Sequence, residues 1–265
     1  LNLHPELGKA AGGARTIAKT PKLYRLWART RRKPVSAWDA TLEKPYDTCG
    51  KGCSALVAAA DRSLAAEIAF RNNLKTAATL YDFHKFFDTI EATPLLESIV
   101  ETKFPPIDAV MGFQMHVAPR VILVATIATE LIRVDLSILA GCIYSIPFVV
   151  SLMYEGGTAV YQHSKNYKNY VDDVVDYARG YGPDIQATLV AAGLIFRDKL
   201  VIKRKFQLSP KSAVVASDLK LAISIAKELL QHDIVVCVAT SHRDLGIMYT
   251  AGASRDLSTC RARFS

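Results

Sequence analysis

Cysteine is scarce in this 265-residue chain; the five present (Cys49, Cys53, Cys142, Cys237, Cys260) are odd in number, and no signal peptide is expected with them. That excludes a disulfide framework and points to a reducing, intracellular compartment, nucleus or cytoplasm. Cys49 and Cys53 lack a second ligand pair nearby and the six histidines are scattered, so no zinc pattern is present. Internal repeats and low-complexity stretches are also lacking. Residues 136–154 hold no charge at all, nineteen in a row between Asp135 and Glu155, which is long enough to cross a bilayer. The run contains Gly141, Ser145 and a central Pro147, its flanks are acidic, and no Lys/Arg cluster anchors either end. A membrane protein spanning 136–154 is therefore the remote alternative. The expected reading is a loop at Gly141-Cys142 and then a buried helix from near Ser145, with Pro147 in the first turn where a missing N–H is harmless; no membrane partner is expected. The chain does not open on Met, and a fragment of a longer protein is expected.

What the sequence does have is a core and a lopsided charge. Half of the residues are apolar, enough for one large domain or two small ones. Residues 1–33 carry nine Lys/Arg against Glu6 alone, a net +8, and everything after residue 33 sums to zero. A basic module joined to a neutral body that keeps its carboxylates suits a nucleic-acid enzyme, where phosphates meet one face and metal-bearing acids another. Arg25, Arg29, Arg31 and Arg32 are the candidate nucleic-acid contacts.

The acids are most telling at Tyr170-Val171-Asp172-Asp173, a tight turn between strand-like runs Lys168–Val171 and Val174–Ala178. Adjacent carboxylates at a turn repel each other unless a cation sits with them, and the usual answer is a divalent metal. A third ligand is offered upstream by Asp82, where the apolar run Ala77–Tyr81 ends and a helix begins. Two strand-end carboxylate sites side by side suit two Mg²⁺ roughly 3.5–4 Å apart, which activate a 3′-hydroxyl and neutralise a triphosphate leaving group. The chemistry suggested is nucleotidyl transfer.

At these residues the chain resembles the reverse transcriptases, and most closely those of non-LTR retrotransposons and group II introns. Asp82 to Ile90 resembles the first palm motif, Asp-x-x-x-x-Phe-Asp, and Tyr170 to Asp173 the third. Outward from these, Gly13-Ala14-Arg15-Thr16-Ile17 resembles the Gly-x-Arg-Pro-Ile of the fingers and Ala140-Gly141-Cys142 the Gln-Gly-Cys of the second palm motif. Ser209-Pro210-Lys211-Ser212 resembles the lysine motif, and Asp244-Leu245-Gly246 the Tyr-Leu-Gly of the primer grip. The second motif departs from the pattern at Ala140 and Ile143, and the fingers motif at Thr16; these mark either a divergent subfamily or a decaying copy.

The resemblance implies an RNA-directed DNA polymerase of a mobile element, working as a ribonucleoprotein with RNA template, DNA primer and dNTPs as partners. An inactive relic that still binds nucleic acid is the alternative. Asp82 and Asp172 are the implied metal ligands, with Asp173 a less direct acid and the Phe83 main-chain oxygen completing the site for two Mg²⁺, or Mn²⁺ in their place. Phe87 falls where the family carries the aromatic that blocks a nucleotide 2′-hydroxyl, and its other reading is a core aromatic. Arg15 and Lys9 are candidates for the triphosphate, Lys211 for the leaving pyrophosphate, and Gly141 for close backbone approach to the template–nucleotide pair.

The fold expected is α+β, a right-hand polymerase fingers and palm, the palm ferredoxin-like with an antiparallel sheet and packed helices. Fingers are expected over 1–75, palm over 76–250 with an insertion at 105–135, and the start of a further segment at 251–265. Thr20 is expected to cap a basic helix with Pro21 at its first position. Ser54 to Asn72 reads as a helix with Leu56, Ala60, Leu64 and Ile68 on one stripe, and Val121–Ile127 as a strand or a buried helix segment. Phe206–Leu208 and Ala213–Ala216 read as a hairpin around Lys211.

Overall fold

The computed structural model describes residues 2–8, 14–50, 52–134 and 137–255, with 6–8 and 14–16 as main chain. In chain order its elements are β1 (Asn2–Gly8), β2 (Ala14–Thr16), α1 (Lys22–Thr30), α2 (Arg32–Thr41), α3 (Ala55–Arg71), β3 (Lys75–Tyr81), α4 (Phe86–Thr89), α5 (Ala92–Glu101) and α6 (Pro106–Val117). There follow β4 (Arg120–Val124), β5 (Ile127–Ala128), α7 (Ser145–His163), β6 (Lys168–Tyr170), β7 (Asp173–Gly180) and α8 (Gly182–Phe196), which runs into a π-helical turn (Arg197–Ile202). Last come β8 (Ala213–Ala216), α9 (Leu219–Leu230), β9 (Cys237–Ala239), β10 (His242–Asp244) and β11 (Ile247–Tyr249). None of the described helices is long and apolar enough to cross a membrane.

Two compact units result, Leu1–Glu43 with Lys85–Tyr154, and Lys44–His84 with Glu155–Ser265. Helix α3 belongs with the second unit, because its small side chains close one face of the sheet there. Residues 105–135 belong to the first unit.

In the first unit the sheet order is β2-β1-β4-β5. β1 pairs antiparallel with β2 and parallel with β4, Leu3 opposite Val121, which settles residues 120–124 as a strand. Trp38 and Phe104 stand edge to face at 4.5 Å beside Phe148, a packing that anchors α2. Thr20 does not cap α1. It is buried, the helix starts at Lys22, and Pro21 with φ −54° and ψ 144° takes the cap position without a side-chain bond.

In the second unit the sheet order is β6-β7-β3-β8-β9, antiparallel except where β9 joins β8. The first strand, β3, lies between β7 and β8, so the β6–β7 hairpin and β8 flank it in the ferredoxin-like order expected. Side chains alternate across the sheet. Ala78, Leu80, Val175 and Val215 form one cluster with Ala66 of α3 and Tyr249 of β11. The opposite face meets α8, where Tyr81 stacks on Phe196 with centroids 4.0 Å apart. A Cβ at Gly193 would stand 2.9 Å from the Tyr81 hydroxyl, so that helix can come this close only with glycine there.

Two local expectations fail for physical reasons. Leu56, Leu64 and Ile68 of α3 are exposed while Ala59, Arg62, Ala66 and Ala69 are buried. The chain around Gly252 approaches the Ala66 carbonyl so closely that only the small-residue face fits beneath it. Residues 206–208 make no hairpin with β8; Leu208 instead bridges to Phe83 beyond the end of β3.

Candidate active site

The β3–β7 register puts Tyr81 opposite Val174, and one step further along both strands puts Asp82 opposite Asp173. Alternation from Leu80 and Val175 sends both positions to the same face of the sheet. Asp82, Asp173 and Lys211 line one cleft of about 430 Å³, together with His242, Arg243 and Asp244. The main chain of Asp82 is clamped by the Lys211 loop. Its N–H donates to Ser212 Oγ at 3.0 Å and its carbonyl accepts from the Ser209 N–H at 2.8 Å. Phe83 turns its ring to the other face, onto Phe196 and Phe206.

Tyr170 pairs with Asp173, leaving Val171-Asp172 as a two-residue hairpin loop. Val171 has φ +58°, a strained value for a β-branched residue. A left-handed first loop residue matches the twist of the flanking strands, and the strain is held because both strands belong to the sheet. Asp172 stands half-buried in this loop.

The carboxylates crowd one another. Asp173 keeps contact with solvent, yet the cleft walls push its pKa up to about 6, and the charges of Asp172, Asp244 and Asp82 push in the same direction. Arg62 works against this rise. It sits on α3 and grips Asp244 with two bonds of 2.8 Å, both side chains almost wholly buried. Sequence reading missed this pair. An arginine in register with Ala59, Ala66 and Ala69 was the available signal, since only a partnered charge survives on a buried face.

Among the described residues no three acidic, His or Cys side chains form a ready-made metal cage. Asp82 and Asp173 nevertheless fit Mg²⁺, which takes one or two carboxylates and completes its octahedron with water and substrate phosphate. The raised Asp173 carboxyl supports the fit, because a divalent cation is what relieves such crowding.

The other sequence-chosen residues lie in the first unit. Gly141 has φ +98°, and a Cβ there would come within 3.0 Å of Ile17 Cγ2. The Ala18 N–H donates to the Ala140 carbonyl at 2.9 Å, so the segments following Arg15 and surrounding Gly141 are neighbours. Phe87 is half-buried with its ring edge on Phe86 at 5.5 Å, and its carbonyl accepts from the Ile138 N–H. Arg25, Arg29 and Arg32 are exposed. Arg31 differs: it is bonded at 2.9 and 3.2 Å to the buried Asp108, which also accepts from the Tyr144 hydroxyl at 2.7 Å. The pair is part of the fold, since Asp108 buried alone would be costly. Lys9 lies outside the described residues, and Arg15 is described only as main chain in β2, opposite Leu7.

No protein-family model matches the chain, and no curated protein matches it in sequence. Solved structures match it in fold. Apo telomerase from Candida tropicalis truncated from its C-terminal domain superposes with a TM-score of 0.61 at 12% identity, over 96% of this chain and 55% of that one. The apo telomerase of the same species gives 0.60 at 11%, over 97% and 49%. Candida tropicalis telomerase in complex with the TWJ fragment of telomeric RNA gives 0.57 at 14%, over 81% and 41%. The chain thus spans about half the length of the structures it matches. With the split β-α-β sheet and its paired strand-end aspartates, these likenesses show the fold of a right-hand polymerase of the reverse-transcriptase kind.

Proposed function

We propose that the chain is the fingers-and-palm part of an RNA-directed DNA polymerase, joining deoxynucleotides to a primer 3′-hydroxyl. The observation that carries this reading is the meeting of Asp82, Asp173 and Lys211 in one cleft at the ends of adjacent palm strands. Asp82, Asp173 and the neighbouring Asp172 hold two Mg²⁺, with the Phe83 main-chain oxygen as a further donor. When bound, the ions supply charge neutralisation at the attacking and leaving oxygens. The clamp of the Lys211 loop on Asp82 holds that loop beside the acids, within reach for the Lys211 ammonium to meet the leaving pyrophosphate and offset its growing charge. Gly141 lets backbone approach the template–nucleotide pair, Phe87 excludes the 2′-hydroxyl, and Arg15 with Lys9 holds the triphosphate. Arg25, Arg29 and Arg32 meet template phosphates.

An RNA template is supported by likeness to telomerases, two of them solved with a telomeric RNA fragment. Origin in a mobile element of the non-LTR type rests on the motif resemblance. The test is Mg²⁺-dependent extension of a DNA primer on RNA by the chain and by Asp82→Asn and Asp173→Asn. Extension that each substitution lowers by about 10²-fold or more is expected, because each removes a charge that the reaction needs. Binding of primed RNA without extension would make the chain a relic, and full activity in both variants would place the site elsewhere.

A further inference from the structure

Residues 197–205 read Arg-Asp-Lys-Leu-Val-Ile-Lys-Arg-Lys, five cations against one acid, a local excess that the zero net charge beyond residue 33 conceals. The helix there widens into the π-helical turn Arg197–Ile202, a geometry that is rare and found mostly at functional positions. From within it and just past it, cations converge on one carboxylate of α7. Lys199 Nζ lies 2.9 Å and Arg204 Nη2 3.2 Å from Glu155, with Lys203 Nζ also in contact. Gly156 permits the approach, for a Cβ there would stand 2.5 Å from Leu200 Cδ2.

One carboxylate cancels one of the three charges it gathers. Burial favours protonation of Glu155, but hydrogen bonds from Lys203 and Lys199 hold its carboxyl below the usual range. The acid therefore stays ionised and keeps the cations in place. The Arg204 side chain is buried beneath, while those of Lys199 and Lys203 remain 41% and 37% exposed. Ordered lysines lose less rotamer freedom on meeting an anion than free ones do.

We propose that Lys199 and Lys203, ordered by Glu155 over the buried Arg204, form a contact for the phosphate backbone of a nucleic-acid strand. The surface shares no residue with the Asp82–Asp173 cleft. Its exposed part is lysine, which meets anions as point charges without fixed geometry and so suits a repeating phosphate chain. The polymerase-type fold favours a nucleic acid over an acidic protein or an anionic membrane. The inference rests on the proposed function only for the class of ligand, and binding measured in EDTA without nucleotides separates its failure from failed synthesis.

The experiment measures binding of a labelled single-stranded oligonucleotide against salt. It compares the chain with Lys199→Gln/Lys203→Gln and with Lys220→Gln/Lys227→Gln, which makes the same charge change on α9. The first variant should lower the slope of log affinity against log salt by roughly 1.4, at about 0.7 for each phosphate no longer neutralised, and the second should leave it unchanged. Should the double variant fold poorly, Lys199→Gln and Lys203→Gln singly keep the test, each lowering the slope by about 0.7. The proposal is overturned by an unchanged slope in the lysine variants, double or single, or by an equal fall in the α9 variant. Loss of binding to phosphatidylserine vesicles with oligonucleotide binding intact would overturn it too, in favour of a membrane.

Discussion

Asp176 offers the sharpest test of the sheet's electrostatics. It lies on β7 opposite Thr79 of β3, 2% exposed, with Ser164 Oγ donating to its Oδ1. Its Oδ2 and the Tyr167 hydroxyl are buried without protein partners. Burial outweighs the bonds from Ser164 and the Tyr177 N–H, and raises the carboxyl to about 7. In the unfolded chain the same group ionises near about 4. Between these values the folded state holds a proton that the unfolded state has released, so this group's contribution to stability falls as pH rises and levels off above about 7. Across pH 5 to 7, at about 1.4 kcal/mol per unit, the loss is about 3 kcal/mol. Asp176→Asn keeps the shape of the protonated acid and cannot ionise. It should match the parent near pH 4 and exceed it by on the order of 4 kcal/mol at pH 8, about three pK units at the same rate. Urea unfolding at pH 5 and pH 8 reads this. Both tryptophans, Trp27 and Trp38, lie in the first unit, so circular dichroism or hydrogen exchange of the β3 and β7 amides must follow the second. An identical pH dependence in parent and variant, or a variant less stable at pH 8, would refute the reasoning and mean that the carboxylate is ionised and needed.

Arg62→Met should cost about 3–5 kcal/mol, because it strands the buried Asp244 charge, whereas Arg62→Met with Asp244→Leu should recover most of that loss; thermal unfolding of both checks it, and equal losses would mean that the pair itself is needed. Gly141→Ala should destabilise the first unit by about 1–2 kcal/mol, from the φ of +98° and the close approach to Ile17, as read by tryptophan fluorescence in urea.

Much of the fold was legible in one dimension. The helix pattern Ile185, Leu189, Ala192, Phe196, Leu200 is buried throughout, and Pro147 sits in the first turn of α7 as its chemistry requires. Strand ends bearing acids announced the cleft, because a carboxylate at such a place needs a reason. Local pattern misled where two faces of a helix competed. On α3 the larger side chains suggested the core, but the distance to the neighbouring chain admits only alanine and one partnered arginine.

What the sequence determined by itself is therefore the periodic and the local: helix and strand identity, the turn at Val171-Asp172, the basic start and the order of the motifs. Tertiary structure alone decided which acids meet. Strand register sets Asp82 opposite Asp173 and adds Asp244 and Arg62 from distant segments, so charges far apart in sequence shift one another's protonation. It also decided which cations are committed to the fold, for Arg31 is held by Asp108 and Lys199 by Glu155. Such pairings depend on distance and burial in three dimensions, and neither is written in the spacing of residues along the chain.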